Sequence, residues 1–507
     1  MPQAKFTKGA IFPHIFVMSA TNAIGLTALF LVDLADLYFI SLLGESELAA
    51  AVGYAGTVAF FTTSVGIGLS IAMSALVSKA IGERDREQAK RLAINVLVTG
   101  FMISSAISAV VWWLAPDLLE WLGAENRTLE LATHYLRIML PSLPVLGIAM
   151  SAGAALRSVG DARRAMWSTL LGGGVNALLD PLFIFVFDWG LTGAALASVV
   201  ARFTVAGVAL GAVVYRHQLL TTFRFNLWLE DLKRIFNVAG PAMMTNVATP
   251  IGNAYVTAAI AQYGDSYVAG WAVVGRMIPV AFGMVFSLSG AVGPIIGQNY
   301  GAHLFSRLQQ TLRYSLGFAS AYVLLISLVM WLAQPWLIGA FGLDGDAASL
   351  VAFFCTWISF SFLFNGALFI ANAAFNNLGY PAMSTMLNFS KATIGTIPFV
   401  FIGSQWMGAE GVLAGQALGA VVFGVLGSIL AFRRVQQIQR SHEQESLEQV
   451  QADSATVSEA EGEEETVLEP AIPLTPFCSS RSYMCADHDD SDGPDKLEEL
   501  AADNRRA

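Results

Sequence analysis

Twelve apolar runs, each near or above the ~20 residues a helix needs to cross a bilayer, recur along this chain with no globular interruption. They fall at roughly 12–41, 50–80, 90–114, 129–152, 164–186, 191–215, 234–262, 268–298, 308–333, 348–374, 383–403 and 409–432. Backbone in lipid must satisfy its own hydrogen bonds, and runs of this length do so as helices. The expected fold is an all-α membrane protein with twelve transmembrane helices. Only 13% of the 507 residues are charged, against about 25% in soluble domains. The opening MPQAKFTKGA has no short apolar segment with a cleavage site, so the first helix is expected to act as its own insertion signal.

The runs repeat. LRSVGDARRAM (Leu156–Met166) resembles FNNLGYPAM (Phe375–Met383), with Gly160 matching Gly379. Gly82 in SALVSKAIGERD matches Gly301 in VGPIIGQNYGAH, and Gly193 matches Gly411. The offset stays at about 219. The chain therefore reads as two six-helix lobes, 1–216 and 234–435, joined by a basic cytoplasmic linker at 217–233. An even helix count per lobe makes the repeats parallel, related by a pseudo-two-fold axis along the membrane normal. Residues 436–507 turn acidic and nearly free of aromatics, and are expected to be a disordered cytoplasmic tail.

Loop charges give an orientation. Lys5, Lys8, Arg84, Arg86, Arg163, Arg164, Arg216, Arg224, Arg307 and Arg433 fall on one side, while Glu45, Asp117, Asp188, Asp265 and Asp344 fall on the other. By the positive-inside rule both termini are cytoplasmic. The formal net charge of −10 owes much to the tail and points to no nucleic-acid partner.

Two aspartates interrupt the first apolar run, Asp33 and Asp36. An ionised carboxylate at mid-bilayer costs roughly 2.5–3.5 kcal/mol on insertion scales. Spacing of three puts both on one helix face, where they cannot both ionise cheaply. Either they form an ion-coupling site, or Asp36 reaches water at the helix end while Asp33 bonds a neighbour. In the fifth run, Asn176 and Asp180 lie four apart on one face, followed by Pro181, which should kink the helix. Gly172, Gly173 and Gly174 leave room for a neighbouring helix, and Ser198 adds a hydroxyl from the sixth run. Carboxylate, amide and hydroxyl oxygens suit Na⁺ or a proton relay better than a soft metal, and as Na⁺ ligands the set would be Asp36, Asn176 and Asp180. Arg202, one turn past Ser198, is placed to pair with Asp180 or Asp36 and neutralise them without an ion.

No buried carboxylate is expected within the apolar cores of the second lobe. Its polar groups are Asn246, Asn253, Asn365 and Asn372, which with Asn22 are candidates to line a substrate cavity. Arg276 and Lys391 read as snorkelling or packing residues. The six histidines form no cluster, and no P-loop, HExxH or nucleophile–base pattern occurs, so neither an ATP-driven pump nor an enzyme is expected.

The motifs ADLYFISLLGESELAAAVG (Ala35–Gly53), LRSVGDARRAM, NALLDPLFIF (Asn176–Phe185), GLTGAALAS (Gly190–Ser198) and PIIGQNYGA (Pro294–Ala302), in this order, resemble the multidrug and toxic compound extrusion (MATE) transporter family, particularly its prokaryotic DinF-like branch. The resemblance covers roughly residues 10 to 433. It implies a cation-coupled exporter with a V-shaped cavity between two lobes. The family's helix-one aspartate matches Asp36, its helix-five asparagine and aspartate match Asn176 and Asp180, and its helix-six hydroxyl matches Ser198. Asp33 and Arg202 depart from that pattern.

The expected function is a cation-coupled antiporter, using H⁺ or Na⁺, that exports amphipathic and often cationic organic compounds across the cytoplasmic membrane by alternating access. It needs no cofactor beyond the transported ion, works as a monomer in the lipid bilayer, and takes a small organic substrate. The rivals are a lipid-linked precursor flippase of the same superfamily and a non-transporting membrane scaffold with the acidic tail as its interaction arm.

Overall fold

The computed structural model describes residues 4–43 and 45–464. The chain divides into two units, Met1–His442 and Glu443–Ala507. Every regular element among the described residues is helical. The first lobe comprises α1 (Ile11–Ser41), α2 (Ser46–Gly82), α3 (Arg86–Trp121), α4 (Asn126–Met139), α5 (Leu143–Ser158), α6 (Ala162–Pro181) and α7 (Gly190–Gly211). The second comprises α8 (Phe225–Ala261), α9 (Asp265–Gly301), α10 (Phe305–Ala340), α11 (Gly345–Phe353), α12 (Phe362–Asn377), α13 (Pro381–Ala392) and α14 (Ile397–Glu464).

These helices make twelve membrane crossings. Among the described residues, ten stretches are long and apolar enough on composition alone. An eleventh is α8, whose polar face carries Thr245, Asn246 and Asn253. The twelfth arises because the stretch Pro381–Gln449 holds two crossings. Gly408 takes φ 62°, ψ −137°, and the chain folds back on itself there. A Cβ on Gly403 would lie 2.1 Å from the carbonyl oxygen of Gly411, and one on Gly415 only 2.3 Å from that of Phe399. Small residues let the two antiparallel segments touch backbone to backbone.

The repeat is visible in irregular features as well as in helices. The fourth crossing of the first lobe breaks at a 3₁₀ turn, Leu140–Ser142, and the matching crossing of the second lobe breaks at Ser359–Ser361. Gly160 (φ 83°) and Gly379 (φ 87°) end α5 and α12 in the left-handed conformation that glycine adopts without strain. The lobes meet at the end that carries the N terminus. There a Cβ on Gly82 would stand 2.2 Å from the carbonyl oxygen of Gln298, and one on Gly301 would stand 2.2 Å from that of Lys79. Each contact is the other's repeat equivalent, which locates the pseudo-two-fold axis between α2 and α9.

Two boundaries differ from expectation. The helix expected to open at 234 begins at Phe225, so only 217–224 connects the lobes as non-helical chain. Asp231 explains the early start. It is 1% exposed and accepts from Arg91 Nη2 at 3.2 Å and Asn95 Nδ2 at 2.8 Å on α3, which pins the first turns of α8 to the first lobe. The acidic tail, expected to be disordered from 436, is instead helical through Glu464. Its Glu, Gln and Ala content favours helix without any core to bury. The rest of the expected tail, 465–507, lies outside the described residues.

The connecting segment is anchored at its start. His217 Nε2 lies 2.8 Å from Asp161 Oδ2, and Arg164 also bonds that carboxylate. Asp161 caps α6 through the Arg164 backbone N–H at 3.3 Å. Burial acts to raise the Asp161 pKa, but hydrogen bonds from His217 and Arg164 outweigh it and hold the group at about 2, below its ordinary 3.8. A depressed carboxylate stabilises the fold above its ordinary pKa, and that contribution disappears as pH falls through the folded value. The anchor is therefore intact at neutral pH and released only in strong acid, between about 4 and 2. Replacing Asp161 with Asn should speed tryptic cleavage at Arg216 and Arg224 at neutral pH. Unchanged digestion would show that the segment is held elsewhere.

Candidate functional site

The acids of the first lobe meet where α1, α6 and α7 pack together. Gly172 and Gly173 make this approach close. A Cβ on Gly172 would collide with Val205 of α7 at 2.1 Å, and one on Gly173 would lie 3.1 Å from Val32 of α1; Gly174 faces open space. The i, i+4 spacing then points Asn176 and Asp180 at α1 together. α6 closes at Pro181, where a π-turn over Leu182–Val186 takes over, as a proline within a helix demands.

One amide joins the two carboxylates. Asn176 Nδ2 donates to Asp36 Oδ1 at 2.7 Å and to Asp180 Oδ2 at 2.8 Å, one hydrogen to each. Ser198 and Asp180 both lie within side-chain hydrogen-bonding reach of Asp36. Asp180 is fully buried, Asn176 is 3% exposed, and Asp36 is half-buried. Among the described residues Asp180 Oδ1 has no hydrogen-bond partner. A buried carboxylate oxygen without a donor is expensive, and a second carboxylate beside it adds repulsion. The cluster joins two carboxylates through a neutral amide, so a proton or a small hard cation would be favoured there.

Arg202 does not supply it. Its Nη1 donates to the Met139 carbonyl at 3.1 Å and to Ser142 Oγ at 2.8 Å, at the break between α4 and α5. Among the described residues it forms no ion pair. The alternative in which it pairs with Asp36 or Asp180 is therefore not the arrangement found: the helix break frees a backbone oxygen that takes the guanidinium instead. Asp33 is exposed and joins none of the hydrogen bonds of the cluster. Buried Tyr135 on α4 stands close enough to feel the charge of Asp36 and Asp180. A lone tyrosine, between His134 and Leu136, gave no signal of this in the sequence.

The asparagines divide. Asn22 donates to the Ser287 carbonyl at 2.9 Å and so ties α1 to α9 across the lobe interface. Asn246 bonds the Ala242 carbonyl on its own helix, and Asn372 accepts from Asn388 at 3.0 Å. Asn253 and Asn365 line a cavity within the second lobe. Lys391 is in that cavity as well, with its ammonium bonded to Asn365 Oδ1, rather than reaching for a membrane surface.

Two repeat-related helical lobes with a buried acid cluster inside one of them define a secondary transporter. The chain belongs to the MatE family, whose model matches residues 23–182 and 241–402, one segment in each lobe. It is a multi-pass membrane transporter of the MATE superfamily and not an enzyme. The FAD transporter of Shewanella oneidensis is 27% identical over 423 residues, 82% of this chain and 93% of the relative. The multidrug export protein MepA of Staphylococcus aureus is 23% identical over 415 residues, 80% of this chain and 90% of the relative. The crystal structure of an aspartate-to-asparagine mutant of the Vibrio cholerae MATE transporter VcmN is similar with a TM-score of 0.79 at 25% identity, covering 85% of this chain and 97% of that one.

Proposed function

We propose that this protein is a cation-coupled antiporter of the DinF-like branch, exporting amphipathic and often cationic organic compounds across the cytoplasmic membrane as a monomer. H⁺ or Na⁺ enters from outside and binds at Asp36, Asn176, Asp180 and Ser198. The observation that carries this reading is the single Asn176 amide shared between two carboxylates beside the unpartnered Asp180 Oδ1. An ion drives transport only if it binds one conformation better than the other. Cancelling the charge between α1 and α6 changes how those helices pack, which is the link from ion to lobe movement. The names of the relatives, a multidrug exporter and an FAD transporter, support an organic substrate. Basic residues concentrated at the terminal side support placing both termini in the cytoplasm.

Proteoliposomes loaded with a fluorescent organic cation test this directly. Efflux should follow an imposed pH gradient or an imposed Na⁺ gradient, and only one of them should matter if the site is selective. Efflux indifferent to both gradients would remove the antiport reading.

A further inference from the structure

We propose that the second lobe holds a separate binding site for an aromatic organic anion, with Lys391 as the group that takes its carboxylate or phosphate. This deepens the transport reading above, and rests on it for its place in a transport cycle. A cavity of about 290 Å³ lies among α8, α9, α12, α13 and α14, entirely within the second lobe. That is the lower end of the size of organic-ligand sites, fit for a one- or two-ring compound or the ring end of a longer one.

Its chemistry is the opposite of that in the first lobe. Among the described residues, the one charged group on its wall is the Lys391 ammonium. That group has three hydrogens to donate, and Asn365 Oδ1 takes one. Among the described residues Lys391 forms no ion pair. An uncompensated cation at membrane depth is costly, so an incoming anion gains from meeting it. Asn253 and Gln416 face the same space and are only loosely joined, Gln416 Nε2 to Asn253 Oδ1 at 3.4 Å, which leaves amide groups free to orient a ligand. Trp271, Phe286, Phe362 and Phe369 supply flat apolar walls for a ring.

The backbone gives a second, independent sign. α13 stops at Ala392, Thr393 takes the non-helical φ −104°, ψ −80°, and α14 resumes at Ile397. Non-helical backbone at membrane depth is tolerated where it lines a cavity, and Ala392 and Thr396 are on this cavity's wall. By the offset of about 219, α13 is the repeat equivalent of α6. The matching helices thus carry Asn176 and Asp180 in one lobe and Lys391 in the other.

The test uses the full chain in lipid nanodiscs at neutral pH with no ion gradient, and titrates naphthoate, the neutral naphthamide and a naphthylmethyl ammonium salt by calorimetry. Naphthoate should bind about tenfold tighter than naphthamide, the size of one charge-assisted hydrogen bond, and the ammonium salt should bind weakest. Lys391→Gln should erase the preference for naphthoate over naphthamide, and Lys391→Arg should keep it. Equal binding of naphthoate and naphthamide to the unmodified chain overturns the proposal without any variant, as does a naphthoate preference that survives Lys391→Gln. No gradient is present, so the two readings fail separately. Absent ion coupling in proteoliposomes would remove the antiport and leave this site standing. Absent naphthoate preference would remove this site and leave the antiport.

Discussion

Asp36→Asn and Asp180→Asn should each abolish gradient-driven efflux while leaving the protein folded and as thermally stable as before, or more so. The two halves of this result come from one geometry. Asn is nearly the same shape as Asp, and at position 36 it still offers an oxygen to Asn176 Nδ2, which now lies 2.7 Å from Asp36 Oδ1. At position 180 it brings an amide where Oδ1 currently has no donor. Packing of α1 on α6 is kept, and the mutual repulsion of two carboxylates is relieved. What is lost is the charge that the entering ion cancels. Coupling free energies between sites run to about 1–3 kcal/mol, or roughly 5- to 150-fold in affinity. Losing all of it should reduce uphill efflux to the level of passive exchange. The measurement is efflux from proteoliposomes under an imposed gradient, paired with a melting temperature for each variant. Asp33→Asn should have a much smaller effect, because Asp33 stands outside the hydrogen bonds of the cluster. If Asp33→Asn abolished efflux and Asp36→Asn did not, the site assigned to α1 would be the wrong acid.

The acid cluster was legible in the sequence for a physical reason. Carboxylates at membrane depth are costly enough to be rare, and the i, i+4 spacing of Asn176 and Asp180 leaves only one direction for both to face. Spacing of three puts Asp33 on a shared face with Asp36, but only Asp36 takes a hydrogen bond from Asn176. Arg202 was illegible because its partner is a main-chain carbonyl, Met139, exposed by a helix break that periodicity does not report. Lys391 was misread for a similar reason. Its position near a helix end suggested snorkelling, but the helix ends inside the lobe, at a break around Thr393, and not at a membrane surface. The repeat revealed that Gly82 and Gly301 are equivalent. It did not reveal that each touches the backbone beside the other, which only the closed arrangement of the lobes shows.

That contact sets the second large expectation: Gly82→Val and Gly301→Val should each trap the transporter with its terminal side open and stop efflux. A Cβ on either glycine would meet a carbonyl oxygen at 2.2 Å, far inside any tolerated approach, and the obstacle is backbone that cannot swing away. The clash exists only while α2 and α9 are together. It therefore acts on the closed state alone, which is the condition for shifting a population. Overpacking costs about 1–3 kcal/mol, and roughly 2 kcal/mol would cut the closed-to-open ratio about 30-fold. The seal being opened is otherwise well bonded. Gln298 donates to the Ser158 carbonyl at 2.7 Å and accepts from the Phe6 backbone N–H at 2.9 Å. Arg307 donates to the carbonyls of Phe6 at 2.9 Å and Gly9 at 3.0 Å. Phe6, 1% exposed, fills the gap between the lobes. Opening should therefore uncover Ser78, which is fully buried against Gly297. With Cys355, Cys478 and Cys485 replaced by Ser, a Ser78→Cys probe should resist an impermeant maleimide in the unmodified background and react rapidly once Gly82→Val is added. Rapid labelling together with lost efflux would establish that this glycine pair gates the terminal side. A Gly82→Val protein that still exports and keeps position 78 protected would mean that the lobes close without bringing α2 and α9 into backbone contact.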